Sequence, residues 1–424
     1  MPELETVLSM GSASIKFGFG ATREVGFDMK ELGARRVMVV TDPRVAALPP
    51  VEVTLDSLRR EGIDAVLYDR VRAEPTDASF QEAIRFARDG RFDGYVGIGG
   101  GSSMDTAKAA NLYATYPADF LSYVNAPIGS GAPVPGPLKP MIGIPTTAGT
   151  GSETTGTAIF DLTERHVKTG IAHRFLRPSL GIVDPSNTRS MPRLVAACTG
   201  FDVLVHALES YTALPFNQRE APKHPSLRPA YQGSNPLSDV WATRAIHLVT
   251  RSMRRVLADS NDDEARADLL AAATFAGIGF GNAGVHLPHG MSYAVAGMVK
   301  GYQPEGYPTD HPMIPHGMSV VLNAPAVFRF TGPAAPERHA EAARLMGAQG
   351  VDPDWAGEAL AAAVVDLLKE TDMPNGLRAV GYAESDIERL VDGTLPQHRV
   401  TKLCPRPFTR EDLRRMFLES LTLW

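Results

Sequence analysis

The chain has 424 residues, enough for two or three ordinary domains, and its 44% hydrophobic and 21% charged content is that of a folded globular protein rather than a disordered or fibrous one. A net charge of -6 with no lysine- or arginine-rich run excludes a nucleic-acid binder that works by displacing counterions. Cys198 and Cys404, the only cysteines, stand far apart in no CxxC pairing, which excludes a disulfide framework and a thiolate metal site and suits a reducing compartment. Met1 to Gly11 carries two glutamates before the first basic residue and no apolar core, so no leader is expected. No stretch reaches the roughly 20 apolar residues of a membrane span. A cytoplasmic protein with no membrane and no nucleic-acid partner is the expectation.

From Val37 to Val40 a short β-branched run ends at Thr41-Asp42-Pro43 and reads as a buried strand stopped by a turn. A helix over 52–61, a strand over 64–68, a helix over 77–89 and a strand at Tyr95-Val96-Gly97-Ile98 follow. This alternation predicts βαβ units on a parallel sheet. The last strand runs into Gly99-Gly100-Gly101-Ser102-Ser103-Met104-Asp105-Thr106-Ala107-Lys108, a glycine turn opening a helix, whose backbone N–H groups could cradle a pyrophosphate. A plain strand-to-helix turn would use the same glycines. The usual dinucleotide fingerprint is not met, since with Gly97 and Gly99 as its first glycines the third position is Ser102. Met141-Ile142-Gly143-Ile144 reads as another buried strand, leading into Pro145-Thr146-Thr147-Ala148-Gly149-Thr150-Gly151-Ser152-Glu153. Either loop alone is readable as a solvated connector. Two small-residue loops at strand ends suggest a ligand crevice. Lys168 beyond them could meet a phosphate or ribose, or be an ordinary surface lysine.

After Val183-Asp184-Pro185 the pattern turns helical, with helices predicted over 193–211, 238–258, 262–280, 336–347, 355–370, 384–392 and 410–421. The expected domains are 1–190 and 191–424, with a proline-rich insert at about 212–239. That insert is too long for a casual connector and reads as a lid or a partner surface. Its Arg219, Lys223 and Arg228 could receive a carboxylate, and the planar guanidinium of Arg228 is favoured for bidentate pairing. In the first helix, Phe201, Leu204, Val205 and Leu208 have helical spacing, which puts Asp202 and His206 four apart on one face. Downstream, His289 precedes Gly290 and His316 precedes Gly317, and the four could close a metal site of one carboxylate and three imidazoles. Spacing does not choose His289 over His286, or His316 over His311, and any one of them is readable as a hydrogen-bonded turn or core residue.

These residues together resemble the iron-containing alcohol dehydrogenases, nearly end to end. The matching pieces are Gly99-Gly100-Gly101-Ser102 with Asp105 and Lys108, the Pro145 to Glu153 loop, Gly200-Phe201-Asp202 to His206, and the two His-Gly pairs. Narrower matches are Glu74-Pro75-Thr76-Asp77, Arg228 to Pro236, Gly277 to His286, Asp310-His311-Pro312, Gly393 to Gln397 and Val400-Thr401-Lys402-Leu403.

The resemblance implies a dehydroquinate synthase-like fold: an α/β N-terminal domain with a parallel Rossmann-like sheet, and an all-α C-terminal metal-binding domain. It implies a divalent metal on Asp202, His206, His289 and His316. Such donors suit Fe(II) or Zn(II), and the family name points to iron. It places NAD against Asp42, Gly100, Gly101, Ser102, Thr146, Thr147, Gly149, Thr150 and Lys168. Asp42 would bond a ribose hydroxyl and repel a 2′-phosphate, favouring NAD over NADP. Many members carry a histidine four residues after the first His-Gly histidine, thought to pass the alcohol proton to solvent, where this chain has Tyr293. The implied activity is hydride transfer between a hydroxyacid such as 4-hydroxybutyrate and an oxoacid such as 2-oxoglutarate through retained NAD, with the metal as Lewis acid. Basic residues of the insert, Arg228 foremost, and Lys300 could bind the distal carboxylates. Alternatives are an ordinary NAD-dependent dehydrogenase of a primary alcohol or hydroxyacid, a metal- and NAD-using lyase and a non-catalytic binding module. A homo-oligomer, a dimer, is expected.

Overall fold

The computed structural model describes residues 3–424 except 166, 308 and 310, so Asp310 of the motif noted above lies outside the described residues. The chain divides into two compact units, Ser12–Met191, and Pro192–Trp424 together with the described residues ahead of Ser12. The leading residues join the helical unit because Glu5 N donates to Arg219 O (2.8 Å) and Gly11 N to Asn282 Oδ1 (3.0 Å). A boundary read from pattern alone, starting at residue 1, could not register such long-range bonds.

The α/β unit runs β1 (Ser14–Phe17), α1 (Val25–Glu31), β2 (Arg36–Val40), α2 (Pro49–Arg60), β3 (Asp64–Tyr68), α3 (Asp77–Gly90), β4 (Gly94–Gly99), α4 (Gly101–Thr115), β5 (Met141–Pro145), β6 (Thr157–Leu162), β7 (Val167–Ala172) and β8 (Leu180–Val183). Six strands form one sheet in the order β1-β8-β5-β4-β2-β3, every neighbouring pair parallel, and β6 and β7 form an antiparallel pair of their own. Val37, Val39, Val96, Ile98, Ile142 and Ile144 pack with α1 and α2 residues in one core, while Met38, Val40, Tyr95, Ala83 and Ala107 form the other. Strands buried on both faces need apolar residues at successive positions, hence the continuous runs in the sequence.

From β2 the chain steps outward to β3 and then returns to place β4 on the opposite side of β2, so the winding reverses between β2 and β4. In open α/β sheets ligands bind beyond the carboxyl ends of strands at such a reversal. Register pairs Val40 with Gly97 and Gly99 with Pro145. The segments carrying Asp42, the glycine turn and Thr146 therefore lie side by side along that edge.

The helical unit contains α5 (Arg193–Thr212), α6 (Pro236–Ala258), α7 (Asp263–Ala283), α8 (Leu287–Gly297), α9 (His316–Val321), α10 (Ala324–Thr331), α11 (Pro336–Leu345), α12 (Ala356–Glu370), α13 (Ile387–Thr394), α14 (His398–Thr401) and α15 (Arg410–Ser420). Almost all of α5 is buried, packed against α6, α7 and α9. Among the described residues no single helix is long and apolar enough to cross a membrane.

Candidate active site

On α5, residues 202, 206 and 209 fall on one face, so Asp202, His206 and Glu209 point the same way. Glu209 organises the start of α8: its Oε1 accepts the backbone N–H of His286 (2.8 Å) and His289 (3.2 Å), and its Oε2 is hydrogen-bonded to His289 Nδ1. Pro315 precedes α9, which opens on His316. A Cβ at Gly317 would collide with the Cys198 carbonyl oxygen and stand 2.9 Å from Asp202 Cβ, so only glycine lets α9 lie this close to α5.

Three nitrogens are thereby brought around one oxygen. Asp202 Oδ1 lies 3.7 Å from His206 Nδ1, 3.6 Å from His289 Nε2 and 3.6 Å from His316 Nε2, and the four donor atoms all lie within 4.8 Å of one another. Tetrahedral bonds of about 2.1 Å to a shared cation would separate donors by about 3.4 Å. Asp202 Oδ1, His206 Nδ1 and His289 Nε2 are buried with no hydrogen-bond partner among the described residues. Buried polar atoms are rarely left so, because each costs free energy unless something compensates it. A divalent cation fits this donor set. Phe280 stacks on His206 at 3.9 Å, holding that ring in place.

Charge supports the same geometry. Burial acts most strongly on the Asp202 carboxyl and would raise its pKa, but the surrounding imidazoles of His206, His316 and His289 outweigh it and hold the acid well below its usual range. Burial, only partly offset by Asp202, pushes His206 down to about 3. Burial also opposes the charge on His289, yet Glu209 and Asp202 override it and lift that imidazole to about 10. With Glu209 accepting at Nδ1, His289 keeps Nε2 aimed at Asp202, the orientation a metal-binding histidine needs.

His286 and His311 stay outside the cluster. His286 Nε2 is bonded to Thr212 Oγ1 (3.1 Å), and His311 N donates to Thr309 Oγ1 (3.3 Å). Sequence reasoning missed Glu209, although its place seven residues after Asp202 on a helical face was a usable signal. Tyr293, one turn beyond His289 on α8, is buried and its hydroxyl accepts from Arg399 Nη2 (3.2 Å). Arg228 already has a carboxylate partner within the chain: its Nε and Nη2 lie 3.1 and 3.4 Å from the two oxygens of Glu5. Lys300 is similarly paired with Asp386 (2.6 Å).

In the α/β unit the two small-residue loops meet. A Cβ at Gly101 would stand 2.7 Å from Thr150 Cγ2, and one at Gly100 would stand 3.5 Å from Thr147 Oγ1. Thr146 N donates to Gly99 O (2.9 Å), and Gly149 is buried in the same loop. Gly99 has φ +145, and a side chain there would press on Ser103. No side chain caps the N-terminus of α4, whose partial positive charge faces this loop edge. Asp42 Oδ1 accepts the backbone N–H of Arg44 (2.9 Å) and Val45 (3.0 Å), fixing the turn after β2. Ser102 Oγ accepts from Glu74 N (3.3 Å), and Glu74 with Asp161 pairs the buried Lys168 at 2.6 and 2.9 Å. Lys168 is thus a fully buried ammonium in an ion triplet, not a solvated surface lysine. Asp105 and Lys108 are also structural: Lys108 Nζ donates to Ser152 Oγ (2.5 Å) and Thr157 O (2.9 Å), and Ser152 Oγ donates to Asp105 (2.6 Å).

Two family models match, iron-containing alcohol dehydrogenase over residues 12–185 and the C-terminal part of the Fe-containing alcohol dehydrogenase family over residues 230–421. The chain belongs to the iron-containing alcohol dehydrogenase family, and it is an oxidoreductase. Within that family it is 54% identical to the mitochondrial hydroxyacid-oxoacid transhydrogenase of Bos taurus, over 98% of this chain and 90% of that protein. It is 54% identical to the Homo sapiens protein of the same name, again over 98% and 90%. Among solved structures it is similar to 1,3-propanediol oxidoreductase (TM-score 0.85, 28% identity, 98% of this chain and 100% of that one). It is similar too to an alcohol dehydrogenase from Oenococcus oeni (TM-score 0.85, 27% identity, 98% and 100%). The relatives correct one expectation. They are named as mitochondrial proteins, against the cytoplasmic location read from composition. Sparse cysteines suit any reducing compartment and cannot single out the cytoplasm.

Proposed function

We propose that this oxidoreductase moves hydride between a hydroxyacid and an oxoacid through NAD, with 4-hydroxybutyrate and 2-oxoglutarate as the type of pair. The observation that carries the reading is the convergence of three imidazole nitrogens on Asp202 Oδ1, with Asp202 Oδ1, His206 Nδ1 and His289 Nε2 buried and without a hydrogen-bond partner among the described residues. Asp202, His206, His289 and His316 would hold a divalent cation, Fe(II) by family and Zn(II) equally compatible with the donors. Bound there, the cation supplies Lewis acidity toward an alcohol or carbonyl oxygen. Glu209 keeps His289 in its tautomer, and Phe280 keeps His206 in plane. The α4 N-terminus with Gly100, Gly101 and Ser102 would take the pyrophosphate of NAD, with Thr146, Thr147, Gly149 and Thr150 beside it. Asp42 would meet a ribose hydroxyl, and Lys168 would hold the loop of Glu74 against Ser102. Tyr293 stands where many members have a proton-passing histidine.

Identity to relatives named hydroxyacid-oxoacid transhydrogenase supports the acid pair. The structural likeness to 1,3-propanediol oxidoreductase favours a second reading, an ordinary dehydrogenase that releases NAD each turnover. Incubating the metal-loaded protein with 4-hydroxybutyrate and 2-oxoglutarate, without added NAD, separates them. Formation of 2-hydroxyglutarate under these conditions supports the transhydrogenase, a rate that depends wholly on added NAD supports the dehydrogenase, and no oxidation of any hydroxyacid refutes the acid pair.

A further inference from the structure

Near α8 lies a basic cluster that no cation site explains. The Arg399 guanidinium lies over the Tyr231 ring at 4.9 Å, its Nη2 donates to Tyr293 Oη (3.2 Å), and its Nη1 is buried with no hydrogen-bond partner among the described residues. Lys402 follows three residues later, on the same side of the chain turn, and its ammonium is pulled below the usual lysine range by desolvation and by repulsion from Arg219 and Arg399. The acid that faces Arg219, Glu5, is already gripped by Arg228. An arginine fork with one arm buried and unpaired is costly in the absence of an anion.

The cluster sits beside the imidazole site. A Cβ at Gly290, the residue after His289, would stand 2.6 Å from Thr401 Cγ2, so the turn bearing Arg399 rests directly on the start of α8. Tyr231, Phe280, Tyr293, Val400 and Leu403 form one apolar cluster, and Phe280 is the ring stacked on His206. Apolar surface therefore connects the imidazoles to the guanidinium. His289 and Tyr293 are separated by about 6 Å of helix rise, and a four-carbon hydroxyacid spans about 5 Å from hydroxyl oxygen to carboxylate carbon.

We propose that Arg399, assisted by Lys402 at the exposed rim, receives the carboxylate of the substrate while its carbon chain lies across Phe280 and Tyr293. This assignment rests on the hydroxyacid reading above and replaces Arg228 and Lys300 as carboxylate receivers, since those are paired within the chain. It also gives Tyr293 a positioning task, steadying one arm of the fork.

The test titrates butanoate, which has the carboxylate and no hydroxyl, into the metal-free full-length protein by calorimetry. Wild type should bind, Arg399→Gln should weaken binding roughly ten- to hundredfold, and Lys402→Gln, on an exposed side chain that leaves folding intact, by about threefold. Arg399→Lys, which keeps the charge and loses the fork, should fall between. In the metal-loaded enzyme, Arg399→Gln should lower the ratio of kcat/KM for 4-hydroxybutyrate to that for butan-1-ol by about tenfold or more. Butanoate binding that depends on Arg399 in a protein that oxidises no hydroxyacid would uphold this site and defeat the functional reading. Absence of butanoate binding to wild type, or unchanged binding in both Arg399→Gln and Lys402→Gln with native circular dichroism, would overturn the assignment.

Discussion

Replacing Glu209 by glutamine tests the buried frame of the imidazole site most directly. The side chain keeps its size, but it can no longer accept at both ends. Glu209 Oε1 now accepts two backbone N–H groups, at 2.8 and 3.2 Å, while Oε2 bonds His289 Nδ1. If the glutamine oxygen stays on the backbone amides, its NH2 faces Nδ1 and drives the imidazole proton to Nε2, the nitrogen turned to Asp202. If the amide flips, those backbone donors lose their acceptor, at about 1–3 kcal/mol each. The first route should cost the ten- to hundredfold in metal affinity typical of lost outer partners, about 1.4–2.8 kcal/mol. Either way Glu209→Gln should bind Zn(II) at least about tenfold more weakly in chelator competition. A variant that stays folded and holds metal within about twofold of wild type would refute the role given to Glu209.

Gly290→Ala should lose about 1–3 kcal/mol in denaturant unfolding by driving Thr401 away, and pairing it with Thr401→Ser should restore part of that loss. Gly99→Ala should lower stability by about 1–3 kcal/mol through its positive φ, with weaker NADH binding by fluorescence. Lys168→Met strands Glu74 and Asp161 and should cost about 3–5 kcal/mol at neutral pH. Burial, partly countered by Lys168, already holds the Asp161 carboxyl above its usual range. Losing the lysine raises that carboxyl further, so the deficit should shrink as pH falls and the acid protonates, and chemical denaturation at pH 5 and pH 8 reads the difference. Adding a divalent cation at about a thousandfold over its dissociation constant should stabilise wild type by about 4 kcal/mol in thermal unfolding, and Asp202→Asn should abolish most of that gain.

The parallel sheet was legible because Val37 to Val40, Tyr95 to Ile98 and Met141 to Ile144 carry apolar residues at successive positions, and the long helices because their apolar stripes repeat at helical spacing. β1 and the β6–β7 pair escaped, since Ser14–Phe17 is largely exposed and reads as a loop, and β7 carries the buried charge of Lys168. α8 escaped for the opposite reason: Leu287–Gly297 is apolar nearly all round and contains two glycines and a proline, so burial rather than pattern makes it helical. Spacing left His286 and His289 open because their difference lies in which one meets Glu209 through its ring, a contact across 80 residues of chain. Nothing in the sequence marks Arg399, because its partners are Tyr231, 168 residues earlier, and Tyr293.

All four residues proposed to hold the cation, and the acid bonded to His289, belong to the helical unit, whereas every glycine and threonine of the paired loops belongs to the other. Lesions can therefore be sorted by ligand: a damaged glycine turn should leave zinc uptake intact, and a damaged imidazole set should leave nucleotide uptake intact. Combining one cripple of each kind in a mixture of chains then becomes a complementation assay, in which recovered turnover would mean that hydride can be handed between separate molecules.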